Sequence, residues 1–158
     1  MSSLKRASVV IRRAIDSDLS AIEGLLLKSS LPIDGVRDAL GGFLIAEQES
    51  KVVGVAGVEE RDGYGLLRSV AIDEGWRSQG LGRELVERAI AAAEAMGLKS
   101  LYLLTTTAEW YFPTFGFTLT TRDKVPDALQ QTPEFQGACP ASAVVMVRPV
   151  GACVGGER

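Results

Sequence analysis

Apolar and polar positions along the first half of the chain alternate between strand-like and helix-like spacing. A β-branched run predicts a first strand over residues 9–12. A helix capped by Asp16 or Ser17 is expected next. Its apolar face consists of Leu19, Ile22, Leu25 and Leu26. The elements predicted after it are a short helix and the two strands of a hairpin, over 36–40, 43–47 and 51–59.

The second half of the chain has the pattern of strand, long helix and strand. The first strand covers 66–72, the helix 80–96 and the second strand 100–105. Such a crossover joins parallel strands. The remaining predicted elements are a short aromatic helix, a strand, a loop with one helical turn and a last strand, over 108–115, 117–121, 125–135 and 143–148. This order predicts one α/β (α+β) domain over residues 1–158, with a mixed central sheet flanked by helices.

Composition and charge narrow the class of protein. The 158 residues are 46% hydrophobic and 23% charged, which is typical of a globular domain with one core. A net charge of -3 gives no overall positive charge that would indicate nucleic-acid binding. No apolar run reaches the roughly 20 residues of a membrane span, and charges interrupt the segment over 4–13, so neither a membrane anchor nor a signal peptide is expected. The predicted location is the cytoplasm.

The residues available for chemistry are restricted by the lack of histidine. A Ser-His-Asp triad, a Cys-His pair and a His-rich zinc site are excluded, and no metal site is predicted. Cys139 and Cys153 are too far apart for a CxxC motif, so free thiols are expected rather than a disulfide. Proton transfer must therefore use Glu, Asp, Tyr, Cys or water.

A glycine-containing turn lies between the strand over 66–72 and the long helix. Gly80 and Gly82 follow Arg77 at the spacing Arg-x-x-Gly-x-Gly. Main-chain N–H groups at a helix start bind anions, glycine lets phosphate oxygens approach them, and arginine adds a bidentate charge. The alternative is a tight turn with an exposed arginine. Neither a P-loop nor the three-glycine dinucleotide fingerprint fits this stretch.

This loop and the order of elements resemble the GCN5-related N-acetyltransferase (GNAT) superfamily. The resemblance implies acetyl-CoA as cosubstrate, a sheet splayed at the acetyl-CoA strand, and direct transfer to an amine in a ternary complex. The residues implied in cofactor binding are Val70, Ala71 and Ile72 for the pantetheine arm, and Arg77, Ser78, Gln79, Gly80, Leu81, Gly82 and Arg83 for the pyrophosphate. A homodimer is common in this superfamily and is expected here.

The chain departs from the superfamily at both proton-transfer positions. Many members carry an acid at the head of the strand before the loop, where this chain has Tyr64 and Gly65. Glu59 is the predicted general base; the alternative is that Glu59 and its neighbour Glu60 are solvated hairpin charges. Many members also place a tyrosine where this chain has Phe112. The adjacent Tyr111 is the predicted general acid, although one residue of helix turns a side chain by about 100°.

Arg68 interrupts an apolar strand and therefore needs a partner. Its partner is either an internal carboxylate such as Glu59 or Glu94, or the carboxylate of a substrate, which a guanidinium grips by two points. Further candidates for the acceptor pocket have capping and turn hydrogen bonding as their alternative role. They are Thr105, Thr106, Thr107, Glu134 and Ser142.

A narrower resemblance concerns the acceptor. The stretch LYLLTTTAEWYFPTFGF with VPDAL is similar to N-acetylglutamate-synthase-type domains, and YGLLRSVAI, LYLLTTTA, TPEF and CPASA resemble the arsenic-resistance-associated branch. The implied acceptor is a small amine, amino-acid-like or an arsenical or other toxic analogue; Cys139 either ligates arsenic or is a small buried residue. The rival functions are a protein or peptide N-acetyltransferase and a non-catalytic acyl-CoA or metalloid-binding module.

Overall fold

The computed structural model describes residues 8–150 of the chain. The strands are β1 Val10–Arg13, β2 Phe43–Gln48, β3 Lys51–Arg61, β4 Tyr64–Ile72, β5 Ser100–Thr105, β6 Thr118–Thr120 and β7 Val144–Pro149. The helices are α1 Leu19–Lys28, α2 Val36–Ala39, α3 Leu81–Ala95 and α4 Asp127–Gln130. Each strand predicted from the sequence is present within this range, and β5 has the predicted bounds. None of the helices described over 8–150 is both long and apolar enough to cross a membrane.

The sheet is mixed and open, as predicted. Over residues 8–150, the sheet has seven strands in the order β1-β2-β3-β4-β5-β7-β6. The pairs β1–β2, β2–β3, β5–β7 and β6–β7 are antiparallel. β4 and β5 are parallel, which confirms the predicted crossover through α3, and their register pairs Gly65 with Leu101 and Leu66 with Tyr102. β4 continues to Ile72, well past this short register.

The chain divides into two compact units. Within the described residues, the first unit holds 8–57 and 69–89, and the second holds 58–68 and 90–150. The assignment of residues 1–158 to one domain stays a prediction.

The core of the first unit is built by α1 and α2 against β2 and β3. The apolar face predicted for α1 is buried, with Ile22 and Leu26 fully inaccessible. Its partners include Phe43 and Ile45 of β2 and Val55 of β3. A side chain at Gly57 would meet the Phe43 ring at 2.5 Å, so glycine lets this aromatic ring lie flat against β3.

The predicted cap of α1 is wrong. Residues Asp16–Asp18 form a turn of 3-10 helix, and Asp18 is the residue that precedes α1. The Asp18 carboxylate accepts the Ile15 N–H at 2.7 Å and both terminal nitrogens of Arg12, at 2.9 and 3.0 Å. A tertiary ion pair with β1 therefore fixes the start of the helix, where the sequence pattern indicated a local cap.

The second unit has its apolar cluster where α4 packs on the strands. Leu66 and Val145 of the strands contact Leu129 of α4 and the neighbouring Val125. The helical turn predicted within 125–135 is therefore present, and it serves to cover this part of the sheet. Burial of such side chains stabilises the fold by roughly 1.5–3 kcal/mol each.

The aromatic helix predicted over 108–115 is largely absent. Only Phe112–Phe115 is helical, as a single 3-10 turn that ends at Gly116 in the left-handed conformation, φ 91°. Pro113 has no N–H to donate and restricts the residue before it, which prevents a regular helix here. The Tyr111 ring packs edge to face with the rings of Phe112 and Phe115, which are tilted by 44° to each other, so aromatic contacts shape the turn.

Candidate functional site

The loop after β4 combines an anchored turn with two left-handed residues. The Asp73 N–H bonds to the Val53 carbonyl at 2.8 Å, and the Trp76 side chain is buried. Ser78 and Gly80 have φ of 66° and 80°. α3 begins at Leu81, immediately after them. The chain therefore turns sharply and starts a helix at the point where the sequence predicted an anion site.

The two glycines of the motif differ in what they contribute. Gly80 has the left-handed backbone that favours glycine, and an added Cβ would meet nothing within 4 Å. The space beside it is therefore open. A Cβ at Gly82 would lie 3.5 Å from Ile72 Cγ1, which is an ordinary contact. An exposed turn at a helix N-terminus can receive a phosphate group, because main-chain N–H groups at the start of a helix point out of its end.

Arg77 lies at the edge of this loop and is exposed. Its Nε donates to the Ile72 carbonyl at 3.1 Å, so the main chain at the end of β4 holds the Nε end of the guanidinium. A cleft of about 290 Å³ adjoins it in the same unit. The residues that line this cleft are Leu25, Lys28, Ser29, Ile72, Asp73, Glu74 and Arg77.

Lys28 and Asp73 were not found by sequence analysis. Lys28 Nζ lies 4.0 Å from an Asp73 oxygen, and Lys51 Nζ lies 4.0 Å from the other oxygen. Three cationic side chains thus lie near one short segment. Lys28 ends α1, more than 40 residues before the loop, so no local motif indicated that it contributes to this cleft.

A second group of charged residues lies in the second unit, around Arg68 of β4. Arg68 Nη1 donates to Glu59 Oε1 at 2.9 Å, and Arg68 Nε lies 3.4 Å from Glu134 Oε2. The three side chains are 0%, 4% and 6% exposed. We call Glu59, Arg68 and Glu134 the arginine cluster.

The arginine cluster shows which internal carboxylates pair with Arg68. Sequence analysis offered an internal carboxylate or a substrate carboxylate as the partner of Arg68. An internal carboxylate, that of Glu59, is present beside it. Glu94, the other internal partner considered, lies instead 3.9 Å from Arg148. Glu134 was considered for the acceptor pocket and not as a partner of Arg68. Its position 66 residues further along the chain gave no signal of this contact.

Glu59 is not a solvated hairpin charge, so that alternative is wrong for it. Its Oε2 accepts Arg61 Nη2 at 2.6 Å while Oε1 accepts Arg68. The neighbouring Glu60 is exposed, and its Oε2 accepts the Gly63 N–H at 2.9 Å. Two guanidinium groups thus pair with the Glu59 carboxylate. Its role as general base stays a prediction.

Cys139 extends the polar network beyond the arginine cluster. Burial, together with the charge of Glu134 and a hydrogen bond to it, raises the pKa of the Cys139 thiol to about 12. Cys139 is a free cysteine, as expected. Cys153 lies outside the described residues. A thiol with so high a pKa is protonated near neutral pH and reacts slowly.

The other predicted residues lie on or near the turn after β5. Thr105 Oγ1 accepts the Thr107 N–H at 3.4 Å and the Ala108 N–H at 3.0 Å, so its role in turn hydrogen bonding is observed. Thr106 is exposed. Tyr111 is half-buried, with its ring centroid 5.2 Å from that of Phe115. Ser142, outside this turn, is also exposed.

Ser69 is a feature that sequence analysis missed. It lies in the interior of β4, between Arg68 and Val70, yet its φ is 61°. A non-glycine residue in this region costs about 1–3 kcal/mol and persists only where its surroundings enforce it. Ser69 is also 7% exposed. The strand therefore bends locally between the arginine cluster and the residues implied in pantetheine binding, at a position where no residue type gave a signal.

Comparisons with known proteins give matches both in sequence and in fold. The sequence model of the Acetyltransferase (GNAT) family matches residues 14–117. The amino-acid acetyltransferase of Azotobacter vinelandii is 31% identical over 109 residues, which are 67% of this chain and 24% of that protein. The chain thus spans about a quarter of that relative's length.

Two solved structures share the fold. N-acetylglutamate synthase from Neisseria gonorrhoeae, complexed with coenzyme A and N-acetyl-glutamate, has a TM-score of 0.77 at 21% identity. That likeness covers 90% of this chain and 35% of the synthase. The Mycobacterium tuberculosis protein Rv2747, in complex with CoA, has a TM-score of 0.75 at 25% identity, over 89% of this chain and 99% of its own.

Proposed function

Since the chain belongs to the Acetyltransferase (GNAT) family, we propose that it is an acetyl-CoA-dependent N-acetyltransferase of a small amine. The observation that carries this proposal is the loop at the start of α3. Gly80 in the left-handed conformation, open space beside it and the rooted guanidinium of Arg77 together provide a fit for a diphosphate.

In this proposal the main chain of the loop holds the cofactor. The amides over 78–83 receive the pyrophosphate, and Arg77 adds a positive charge at the edge. Val70, Ala71 and Ile72 offer strand-like main-chain groups to the peptide-like pantetheine arm. Acetyl-CoA, when bound, supplies an activated thioester. A main-chain N–H near Val70 polarises the acetyl carbonyl, and the bend at Ser69 supports its orientation.

Proton transfer is assigned to Glu59 and Tyr111. Glu59, paired with Arg68 and Arg61, accepts the proton of the acceptor ammonium through water. Tyr111 protonates the leaving thiolate. Glu59→Gln and Tyr111→Phe test these roles, and each role fails if its variant keeps wild-type turnover at saturating substrate. No activated nucleophile is present among the assigned residues, so we propose direct transfer in a ternary complex.

The acceptor is proposed to be an amino-acid-like amine or a toxic analogue such as an arsenical. Arg68 binds its carboxylate, and Thr105 and Thr106 are proposed as further residues of the acceptor pocket. Support comes from the four sequence motifs and from relatives named as amino-acid acetyltransferases. Arg68→Lys keeps the charge but removes the planar fork. It is expected to weaken acetylation of amino acids more than that of simple amines.

Two rival functions have distinct outcomes in one experiment. The purified chain is incubated with acetyl-CoA and a panel of amino acids, simple amines and peptides, and products are identified by mass. Acetylated amino acids with steady release of thiol support the proposal. Acetylated peptides alone favour a protein or peptide N-acetyltransferase, and CoA binding without thiol release favours a non-catalytic module. A homodimer is proposed as well, and light scattering of the same sample tests it.

A further inference from the structure

The two carboxylates of the arginine cluster come from different parts of the chain. Glu59 lies near the end of β3, nine residues before Arg68. Glu134 lies in the long connection over 121–143, which joins β6 to β7. Since Arg68 itself is in β4, the ion pair ties this connection to the sheet.

Glu134, which also accepts a hydrogen bond from the Cys139 thiol, is the carboxylate of the cluster that lies outside the strands. Its Oε2 lies 3.4 Å from Arg68 Nε, beyond the roughly 2.7–2.9 Å of a charge-assisted hydrogen bond. Glu59, at 2.9 Å from Arg68, is held a second time by Arg61. Glu134 also begins an irregular turn, Glu134–Ala138, in which Gly137 has φ 117°. Movement of this connection would carry Glu134 away from Arg68 and leave Glu59, in β3, in place.

The group that Glu134 presents to the buried guanidinium, a carboxylate, is the same group that an amino-acid acceptor carries. Glu134 thus occupies on Arg68 a place that an acceptor carboxylate also fits. Arg68 already pairs with Glu59 and Glu134, so a third carboxylate at the same buried guanidinium would meet strong repulsion. An acceptor that lacks a carboxylate gains nothing by displacing Glu134.

We propose that Glu134 is an internal competitor of the acceptor, which must leave Arg68 before a carboxylate-bearing amine binds there. This inference rests on the proposed function and deepens it. Glu134 then sets specificity by a difference in binding: only an acceptor whose carboxylate takes the place of Glu134 gives Arg68 a second carboxylate again, beside Glu59. Glu59 stays in place in both states and keeps the guanidinium oriented.

The experiment compares Glu134→Gln with wild type on matched pairs of acceptors. The pairs are L-methionine with L-methioninamide, and L-glutamate with its diamide. Removing the competing charge is expected to lower the KM for each acid by about fivefold or more, and to change that for its amide by less than about twofold. Asp127→Asn is the control, since Asp127 is an exposed acid in the same connection. It is expected to leave both values unchanged.

Three kinetic results would overturn the inference. They are a raised KM for the acids in Glu134→Gln, an equal change for acids and amides, and acetylation of amides but never of acids. In the last case the proposed acetyltransferase function survives while the inference fails. If no amine in either pair is acetylated, binding of L-glutamate and L-methionine is measured by calorimetry with CoA present. Tighter binding to Glu134→Gln supports the inference, and equal, weaker or absent binding refutes it.

Amide hydrogen exchange, which needs no turnover, tests the release of Glu134 from Arg68. Glu134→Gln is expected to increase amide hydrogen exchange over 121–143, whereas Asp127→Asn is expected to leave it at the wild-type rate. Exchange that is unchanged in Glu134→Gln contradicts the inference. Far-ultraviolet circular dichroism of both variants shows whether the rest of the chain keeps its fold. A Glu134→Asp variant, which keeps the charge on a shorter side chain, should give exchange between that of wild type and Gln.

Discussion

Arg77 is fixed by the strand that precedes it: its Nε donates to the carbonyl of Ile72 at 3.1 Å. The guanidinium of an exposed arginine is usually mobile, and this bond holds its root beside the start of α3. Preorganised charge binds an anion more tightly, because less side-chain freedom is lost on binding. The geometry of the loop therefore matters as much as its composition.

Arg77→Ala is expected to weaken CoA binding by about tenfold with a change in unfolding free energy below about 0.5 kcal/mol, because the residue is exposed. Calorimetric titration and urea denaturation measure the two quantities. Arg88→Ala is the matched control, since Arg88 is an exposed arginine on α3 that pairs only locally with Glu84 in the contacts described. Equal affinities of both variants would show that Arg77 plays no special part.

Gly80→Ala is expected to destabilise the chain by about 1–2 kcal/mol, because a side chain at φ 80° is strained whatever the space around it. CoA affinity should fall as well. Gly24→Ala is the matched change in the interior of α1, where an added Cβ also meets nothing within 4 Å. It should stabilise the chain by about 0.5–1 kcal/mol and leave CoA affinity unchanged. The prediction fails if both glycine variants behave alike in thermal denaturation.

Arg68→Leu is expected to lower the free energy of unfolding by about 3–5 kcal/mol, because it leaves the buried carboxylates of Glu59 and Glu134 without their shared cation. Arg61 also pairs with Glu59 but is 38% exposed, so Arg61→Leu should cost less than about 1 kcal/mol. Urea denaturation at neutral pH measures both. A small loss in Arg68→Leu would mean that the cluster contributes little to stability.

Acid should weaken the start of α1. The hydrogen bonds from Arg12 hold the pKa of Asp18 below its usual value, with help from the Ile15 N–H. A depressed folded-state pKa means that the stabilisation is complete above the unfolded pKa, near 3.9, and is lost as the pH falls below it. The stability difference between wild type and Asp18→Asn, about 1–3 kcal/mol at pH 7, should therefore shrink below about pH 4. A difference for Asp18→Asn that stays the same below about pH 4 would contradict this assignment.

Cys139 should resist alkylation. With its pKa raised to about 12, it is expected to react with iodoacetamide more slowly than free cysteine at pH 8, and faster as the pH rises toward 12. The Cys153→Ser variant isolates the signal of Cys139, and unfolding in urea should bring the rate to that of free cysteine. Fast alkylation of the folded variant at pH 8 would contradict the assigned environment.

The alternation of apolar positions was sufficient to predict the strands and the long helix. β-branched runs such as the one around Val53 and Val55 have few alternatives to a strand, and the crossover through α3 required β4 and β5 to be parallel. Turn chemistry was harder to judge. The aromatic run before Gly116 has apolar residues at helical spacing, but Pro113 prevents a regular helix there.

The site was predictable only where its residues are close in sequence. Arg77, Gly80 and Gly82 form one motif, whereas the contact of Glu134 with Arg68 depends on the path of the connection over 121–143. The conformation of Ser69 had no sequence signal, because serine is not selected for a positive φ as glycine is. Contacts set by the tertiary structure thus account for most of what sequence analysis missed.

The most direct measurement is a calorimetric titration of the purified chain with CoA and, separately, with pantetheine, which lacks the pyrophosphate. If the start of α3 holds a diphosphate, CoA binds at one site and pantetheine binds at least about tenfold more weakly. Absence of CoA binding, or equal affinity for the two ligands, would contradict the assignment of this loop and with it the proposed function.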